Sequence, residues 1–372
     1  MVVYISPALQ RVKMHRICLN MIVKDESKVI ERCLRSVKPW IDHWLIVDTG
    51  STDNTPELIE KVMEGVSGEV VHRPWRNFGH NRNEALQLAK YKADYLLFID
   101  ADEQLGVDED AAWPRDMNLA AYSFEARFSG ISYDRVSLVS TKLNWQWKGV
   151  LHEYLDAGEP AAQPRLPGFW IHVTPDGARS NDPKKFEKDA ALLEAALKDE
   201  PDNARYVFYL AQSYRDAGRL DRALNAYKRR VAMGGWNEEV WYSLYQVARL
   251  SELSGHPEDA VILAYLKAYE ARPHRAESLV SLATFCRSKQ AWNQAYLFAS
   301  YAVKCPIPGD RLFVDLATYQ WRAKDELALA AFYTGRFAEA ATEWTSLLNN
   351  PSLPVSEHAR IRANIAFLPA SK

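Results

Sequence analysis

Short apolar runs alternate with amphipathic segments through the first part of the chain. The apolar runs, which predict buried strands, are residues 16–23, 44–48, 69–72 and 95–99. The amphipathic segments, which predict helices, are residues 27–38, 55–64 and 81–91. Strands that alternate with helices indicate an α/β domain with a largely parallel sheet and helices on both faces. Such a sheet binds ligands beyond the carboxyl ends of its strands, where Asp48 and Asp100 lie.

The pattern changes twice after this region. Residues 121–128, 135–141 and 169–173 are rich in aromatic and β-branched residues, which predicts β-hairpin additions to the same domain. From about Asp182 onward the pattern is almost entirely helical. We therefore expect an α/β domain over residues 1–180 and an all-α domain over residues 181–372.

The helical half contains an internal repeat. One unit has its small, aromatic and glycine positions at Ala211, Tyr214, Gly218, Ala223 and Tyr227. The same spacing between these positions recurs over residues 328–344 and, without the glycine, over residues 283–299. This spacing resembles the tetratricopeptide repeat, in which small residues let paired helices approach and glycine permits a tight turn. The alternative is a helical bundle without repeats. Stacked repeats would form a surface suited to a peptide or protein ligand, or they would brace the first domain or pair two copies of the chain.

Composition and charge narrow the class of protein. With 372 residues, 48% hydrophobic and 25% charged, the chain has the balance of a folded, soluble protein. Its net charge of -2 gives no general basic field for nucleic acid, and no run of about 18 apolar residues predicts a membrane span. Residues 1–15 lack the apolar core of a signal peptide, and four cysteines without CxxC spacing are expected to be reduced thiols, as in a cytoplasmic protein. The basic pair Arg229-Arg230 is expected on a solvated helix face.

Two strand-end motifs carry acidic side chains. Asp100-Ala101-Asp102 follows the apolar run YLLFI, and both carboxylates point the same way if the strand continues. Two such carboxylates can bind a divalent cation that neutralises a diphosphate. An isolated DxD would be explained more simply as a solvated acidic turn, but the position after YLLFI and the motifs upstream favour the cation site. Asp48 precedes a Thr-Gly-Ser turn and can accept hydrogen bonds from a base or ribose.

Five segments within residues 17–103 resemble the family 2 glycosyltransferases: LNMIVKDES, RCLRSV, VDTGSTDNT, NFGHNRNEAL and YLLFIDADE. The resemblance implies the Rossmann-like fold called GT-A. It also implies transfer of a sugar from a nucleoside diphosphate sugar with inversion, usually with Mg²⁺ or Mn²⁺. A UDP-sugar is the default donor, and a peptide, protein or glycan is the expected acceptor. Combined with the repeats, the pattern is similar to a bacterial subgroup that includes S-glycosyltransferases acting on peptide cysteines.

The resemblance also implies roles for particular residues. Those expected to line the nucleotide at the end of the first strand are Asn20, Met21, Val23 and Glu26. Asp48 would bind the base or ribose, and Arg82 would lie near the sugar diphosphate. Asp100 would face the ribose or metal with Ala101 beside it, and Asp102 would be the main metal ligand.

A further segment, WQWKGVLHE at residues 145–153, resembles the W-x-G-x-x-H-E segment of the same subgroup. An inverting transfer needs a general base for the acceptor, and Glu153 is the first candidate. His152 is expected as a metal ligand or phosphate contact, although the two roles are interchangeable and His172 competes as a ligand. Trp147, like Trp145, is expected either to stack on a sugar or to pack in the core.

The leading hypothesis is a metal-dependent, inverting glycosyltransferase of the hexosyltransferase type. The main alternative is a repeat-based scaffold with a vestigial nucleotide-binding domain, although every expected acidic position is filled. Nucleotidyl transfer to a phosphosugar is a third reading. It is disfavoured because the loop VKDES lacks the glycine-rich basic pattern of that chemistry.

Overall fold

The computed structural model describes residues 15–128, 131–179 and 182–369. The expectation that residues 1–15 lack a signal peptide concerns a segment that, except for its last residue, lies outside these ranges. Contacts divide the chain into two compact units, Met1–Lys188 and Asp189–Lys372. The first is an α/β unit and the second is helical.

The first unit is built on one large sheet. Its strands are β1 Ile17–Val23, β2 His43–Asp48, β3 Ser67–His72, β4 Tyr95–Phe98, β5 Glu103–Val107, β6 Ala121–Phe128, β7 Ile131–Ser140, β8 Gln146–Lys148, β9 Tyr154–Asp156 and β10 Arg165–Val173. Its helices are α1 Ile30–Val37, α2 Thr55–Met63 and α3 Phe78–Ala89, with a 3₁₀ turn at Lys38–Trp40. The sheet order is β3-β2-β1-β4-β7-β6-β10-β5, and β8 pairs with β9.

The strand order creates a crevice at one edge of the sheet. β1 lies between β2 and β4 and is parallel to both, and β3 is parallel to β2. Because the order reverses at β1, the loops after β1 and β4 diverge, which is the usual ligand position in such sheets. Alternate side chains of β1 support this edge from both faces. Ile17 and Leu19 pack with α1 and α2, while Cys18 packs with α3.

The predicted α/β architecture with a mostly parallel first half is confirmed. The strands and helices lie close to their predicted positions, except that α3 begins earlier because Asn77 caps it, accepting the His80 N–H at 2.8 Å. One detail is wrong: β4 ends at Phe98, and Asp100 and Asp102 lie in the turn that follows. Their carboxylates are therefore not aligned by strand alternation. The short strands β5, β8 and β9 were not predicted, because none of them is a continuous apolar run.

The second unit is a series of helix pairs. Its helices are α4 Lys185–Asp199, α5 Ala204–Asp216, α6 Leu220–Met233, α7 Asn237–Leu253, α8 Glu258–Ala271, α9 Glu277–Ser288, α10 Trp292–Ala302, α11 Ala323–Tyr333, α12 Phe337–Leu348 and α13 Val355–Ala366. The small residues of the repeat lie at helix contacts, as Ala211 and Ala223 do between α5 and α6. Gly218 and Gly335 take positive φ in the turns, and in the pair without a glycine Gln290 adopts φ 59° instead. The predicted helical repeats are confirmed.

The connection between α10 and α11 packs back on earlier helices of this unit. Phe313 lies against Phe208 of α5 and Tyr242 of α7, with ring centroids 6.5 and 4.7 Å apart. Arg275, which is fully buried, donates to the main-chain oxygen of Phe313 at 3.0 Å and pairs with Asp310 at 3.1 Å. We call residues 303–317 the α10–α11 strap.

The prediction for the basic pair Arg229-Arg230 is half wrong, whereas the prediction of free thiols is confirmed. Arg229 is exposed as expected, but Arg230 is buried and forms an ion pair with Glu239 at 2.9 Å. The four cysteines are free thiols, of which only Cys305 is partly exposed. Over the described ranges, no helix is long and apolar enough to cross a membrane.

Candidate active site

Asp48, at the end of β2, holds together its own loop and the end of β3. Its Oδ1 accepts hydrogen bonds from the Ser51 hydroxyl at 2.5 Å and the Ser51 N–H at 3.1 Å. Its Oδ2 accepts from the Gly50 N–H at 3.3 Å and contacts Nδ1 of His72 at 3.1 Å. A cavity of about 610 Å³ opens beside these residues and is also lined by Glu57. Sequence reasoning missed His72, because one polar residue at a strand end has no distinctive pattern.

The loops after β1 and β2 are tied to each other. The Asp25 N–H donates to the Ser51 hydroxyl at 2.9 Å, and the Asp25 carboxylate accepts from the Thr52 N–H at 2.6 Å. Asp53 accepts from the Thr55 N–H at 3.0 Å, which satisfies a free donor at the start of α2. The motifs VKDES and DTGSTDNT therefore build one rigid rim for the cavity.

Arg82 of α3 joins three distant parts of the chain. Its Nε donates to Oε1 of Glu153 at 2.6 Å, and its Nη2 donates to Oδ1 of Asp100 at 2.7 Å. The side chains of Arg82 and Glu153 are only 13% and 9% exposed. Burial lowers the pKa of Arg82, but the two carboxylates outweigh it and raise that pKa above its usual value. For Asp100, burial raises the pKa, whereas Arg82 and Arg135 lower it overall. The predicted residues Arg82, Asp100 and Glu153 thus form one ionic cluster.

Two sequence motifs meet where α3 contacts β8. The side-chain amide of Asn83 donates to the Trp147 main-chain oxygen and accepts from the Trp147 N–H, both at 2.8 Å. A Cβ atom at Gly79 would lie 2.4 Å from the Gly149 oxygen, so this approach requires glycine. The GHNRNEAL segment therefore anchors the segment that carries Glu153.

The two neighbouring tryptophans have different environments. Trp145 is buried, and its indole N–H donates to the Ser140 oxygen at 3.0 Å, so packing explains it. Trp147 is partly buried, with its ring edge-to-face with Phe98 and its centroid 5.0 Å from Cζ of Arg82. Its contact with a sugar stays a prediction.

Asp102 and Glu26 are partly buried carboxylates whose pKa values are both raised. Burial, followed by the charge of Asp100, raises the pKa of Asp102 to about 6. Burial likewise raises the pKa of Glu26 to about 7, and Asp102 contributes to that shift. Glu26 accepts the Ala178 N–H at 3.1 Å, and a Cβ atom at Gly177 would lie 2.7 Å from Oδ2 of Asp102. The segment after β10 therefore lies directly against these two carboxylates.

Sequence reasoning also missed two arginines that position this cluster. Arg135 of β7 donates to both oxygens of Glu103 at 2.8 and 2.5 Å, and Glu103 accepts the Asp100 N–H at 2.9 Å. Arg32 of α1 donates to the Asp102 main-chain oxygen at 2.9 Å. Arg32 lies within RCLRSV, a segment that carries the family resemblance and could have drawn attention to it. The hairpin that contains Arg135 has no such motif.

Some predicted residues lie beneath the site. Those with buried side chains are Asn20, Met21, Val23 and Ala101. The Asn20 amide donates to the Ala85 oxygen at 2.9 Å and so braces β1 against α3. Nucleotide contact by these residues stands as a prediction for their main chain only, because their side chains face the core.

The predicted metal ligands are not gathered into a complete side-chain site. Among the described residues, no group of three or more His, Cys, Asp or Glu is placed to hold a metal. His152 and His172 are both exposed, and His152 has a φ of 51°. Asp100 and Asp102 nevertheless offer hard oxygen ligands, although Oδ1 of Asp100 is already paired with Arg82. That set suits a cation such as Mg²⁺, which binds proteins through one or two carboxylates and takes its other ligands from phosphate and water.

Comparison with known proteins agrees with this architecture. Residues 18–110 match the family model described as glycosyl transferase family 2. A TPR repeat-containing protein of Synechococcus elongatus is 27% identical over 314 residues, covering 78% of this chain and 75% of the relative. The prophage-derived glycosyltransferase SunS of Bacillus subtilis is 24% identical over 58% of this chain. The resemblance of the two halves to family 2 glycosyltransferases and to tetratricopeptide repeats is thereby confirmed.

These matches differ in extent. The aligned region spans 53% of the length of SunS, so about half of that relative has no counterpart in the alignment. Among solved structures, MamA covers 47% of this chain and 92% of its own, with 18% identity and a TM-score of 0.37.

Proposed function

We propose, for a chain whose residues 18–110 form a glycosyl transferase family 2 domain, that it transfers a sugar from a nucleoside diphosphate sugar to a peptide, protein or glycan. A UDP-sugar is the favoured donor, and the transfer inverts the anomeric carbon. The observation that carries the proposal is the double ion pair of Arg82 with Asp100 and Glu153 at the carboxyl edge of the sheet. In the proposed function, the arginine would be the cation beside the diphosphate and Glu153 would be the carboxylate beside the acceptor.

The two ends of the donor would bind in different environments. The cavity beside Asp48 suits the uncharged nucleoside, because its acidic lining residues Asp53, Glu57 and Glu60 outnumber Arg73 and would disfavour phosphate. The diphosphate would lie toward Arg82, whose guanidinium offers several donors in a fixed geometry. A departing nucleoside diphosphate would then be stabilised by an arginine that is already oriented.

A divalent cation would be held by Asp102, with Asp100 as a second carboxylate. When bound, it would supply Lewis-acid stabilisation of the diphosphate leaving group. Burial, with a smaller contribution from neighbouring carboxylates, raises the pKa of both Asp102 and Glu26, and a bound cation would stabilise their ionised forms. The assignment of His152 as a further ligand is part of the proposal.

Glu153 is the proposed general base. Its Oε1 is fixed by Arg82, while Oε2 has no hydrogen bond among the described residues. As the acceptor nucleophile forms its bond to the anomeric carbon, Oε2 would take the nucleophile's proton and the bond to the diphosphate oxygen would break. The helical repeats would bind the acceptor or a second copy of the chain, as stacked repeats commonly do.

The test is a panel of nucleotide sugars incubated with the full chain and Mg²⁺ or Mn²⁺, with released nucleotide as the readout. We expect one donor to be turned over and EDTA to abolish the reaction. Asp102→Asn should lower turnover at least about 100-fold, since several kcal/mol of leaving-group stabilisation depend on the cation. Asp116→Asn, an exposed acidic residue in the loop after β5, is the matched control and should keep full turnover.

The results separate this proposal from its alternative. Turnover that survives Asp102→Asn would overturn the metal assignment. Absence of both turnover and calorimetric binding of UDP, GDP and dTDP would favour a scaffold with a vestigial nucleotide-binding domain.

A further inference from the structure

The cavity at the ends of β2 and β3 is lined by His72, a residue to which sequence reasoning assigned no role. His72 projects from the end of β3, and its side chain is 70% exposed. The side chain of Asp48 beside it is only 4% exposed. A ligand that enters this cavity would therefore meet the imidazole before it meets the carboxylate.

Asp48 is already occupied by its own surroundings. Both of its oxygens accept hydrogen bonds from the loop that follows β2, through Gly50 and Ser51. One oxygen also contacts Nδ1 of His72 at 3.1 Å. Binding a base directly to Asp48 would require these bonds to be shared or broken, which is costly for a buried carboxylate.

The contact with Asp48 determines which nitrogen of His72 carries the proton. An ionised carboxylate only accepts hydrogen bonds, so Nδ1 must donate to it. In the neutral imidazole, Nε2 is then an acceptor. Nε2 has no hydrogen-bond partner in the described ranges of the chain, and His72 lines the cavity. The cavity therefore contains a fixed acceptor whose orientation is set by a buried aspartate.

Resting on the proposed function, we infer that His72 is the specificity-determining residue for the nucleobase, with Nε2 accepting a hydrogen bond from a ring N–H. Uracil and thymine have this donor at N3. Cytosine has an unprotonated N3 at the same position, where it would oppose Nε2 with a second acceptor.

The test compares UDP with CDP, which differ only in this edge of the base. Calorimetry with Mg²⁺, at a pH where imidazole is neutral, should give a UDP affinity at least roughly 10-fold above that for CDP. His72→Phe keeps a flat ring but removes the acceptor, so UDP binding should weaken roughly 10-fold while CDP binding changes little. His256→Phe, an exposed histidine in the turn between α7 and α8, should behave as the parent protein.

A second variant tests the orientation of the imidazole. In Asp48→Asn, the amide oxygen should remain with the main-chain donors and the amide N–H should face Nδ1. Nε2 would then become the protonated nitrogen and a donor. The ratio of UDP affinity to CDP affinity should therefore fall and could drop below one, because the histidine would be held in the other tautomer.

The outcomes distinguish this inference from the proposed function. If the parent protein binds neither UDP nor CDP, the proposed donor class is wrong. If it binds UDP well but His72→Phe leaves the ratio of the two affinities unchanged, the role of His72 is wrong and the donor class stands.

Discussion

The ion pairs of Arg82 predict a specific pattern of stability and turnover in its variants. Arg82→Gln removes both charge-assisted hydrogen bonds, so that Glu153 loses its cation and Asp100 keeps only the more distant Arg135, at 3.8 Å. Asp100 is 40% exposed and regains water, whereas Glu153 is 9% exposed and cannot. Loss of a buried partner costs about 3–5 kcal/mol. Because only one of the two carboxylates is buried, we expect destabilisation near the lower end, about 3 kcal/mol.

The same reasoning predicts partial rescue. Glu153→Gln in the Arg82→Gln background replaces the unpaired charge with a neutral amide of similar shape. The double variant should therefore be more stable than Arg82→Gln alone by about 1–2 kcal/mol, an interaction energy typical of residues in direct contact. Arg82→Lys keeps the charge, but its ammonium lacks the fork that spans both carboxylates. We expect turnover to fall roughly 10- to 100-fold, the effect of one lost hydrogen bond to a charged group.

Denaturant unfolding of the full chain, followed by tryptophan fluorescence, measures the stabilities, and nucleotide release from the donor measures turnover. Arg127→Gln is the matched control, because Arg127 pairs with Glu125 at the surface and such pairs contribute about 1 kcal/mol or less. The reasoning is refuted if Arg82→Gln and Arg127→Gln have the same free energy of unfolding. It is also refuted if adding Glu153→Gln lowers the free energy of unfolding of the Arg82→Gln variant further.

Two other predictions concern the site and the repeats. Gly177→Ala should displace the Asp102 carboxylate, which lies 2.7 Å from the added methyl, and lower turnover roughly 100-fold without changing unfolding. Gly309→Ala, where the methyl meets open space, should leave the same donor assay unchanged. Burial raises the pKa of Asp310, but hydrogen bonds from Arg272, Arg275 and His274 lower it to about 2 from a usual 3.8, a stabilisation of about 2 kcal/mol. This stabilisation is complete above about pH 4 and disappears as the pH falls toward 2. Asp310→Asn should therefore be the less stable protein near neutral pH and converge with the parent in acid, as monitored by helical circular dichroism; a constant difference at every pH would contradict this.

The sequence predicted the elements whose periodicity is strong and the residues that end them. β1, β2 and β4 are continuous apolar runs, so their carboxyl ends, and with them Asp48 and Asp100, could be located. Arg82 and Glu153 were proposed from motifs 71 residues apart, and their hydrogen bond at 2.6 Å brings those motifs together.

What escaped prediction depends on contacts between distant segments. His72 and Arg135 acquire roles only because strand pairing brings them beside Asp48 and Glu103. The burial of Arg230 follows from a partner on the next helix, which helical periodicity does not reveal. The early end of β4 is a backbone property, and a pattern of side chains cannot specify it.

The α10–α11 strap has a consequence for how the helical unit unfolds. An array whose repeats contact only their neighbours can melt from one end, repeat by repeat. Here Phe313 connects the strap to α5 and α7, more than 70 residues earlier in the chain, and Arg275 holds it at the start of α9. Neither α5 nor α7 can separate from the rest of the array without losing contacts made by the strap. We therefore expect the stretch from α5 to α11 to behave as a single cooperative block, in which amide hydrogen exchange is similarly slow at both ends.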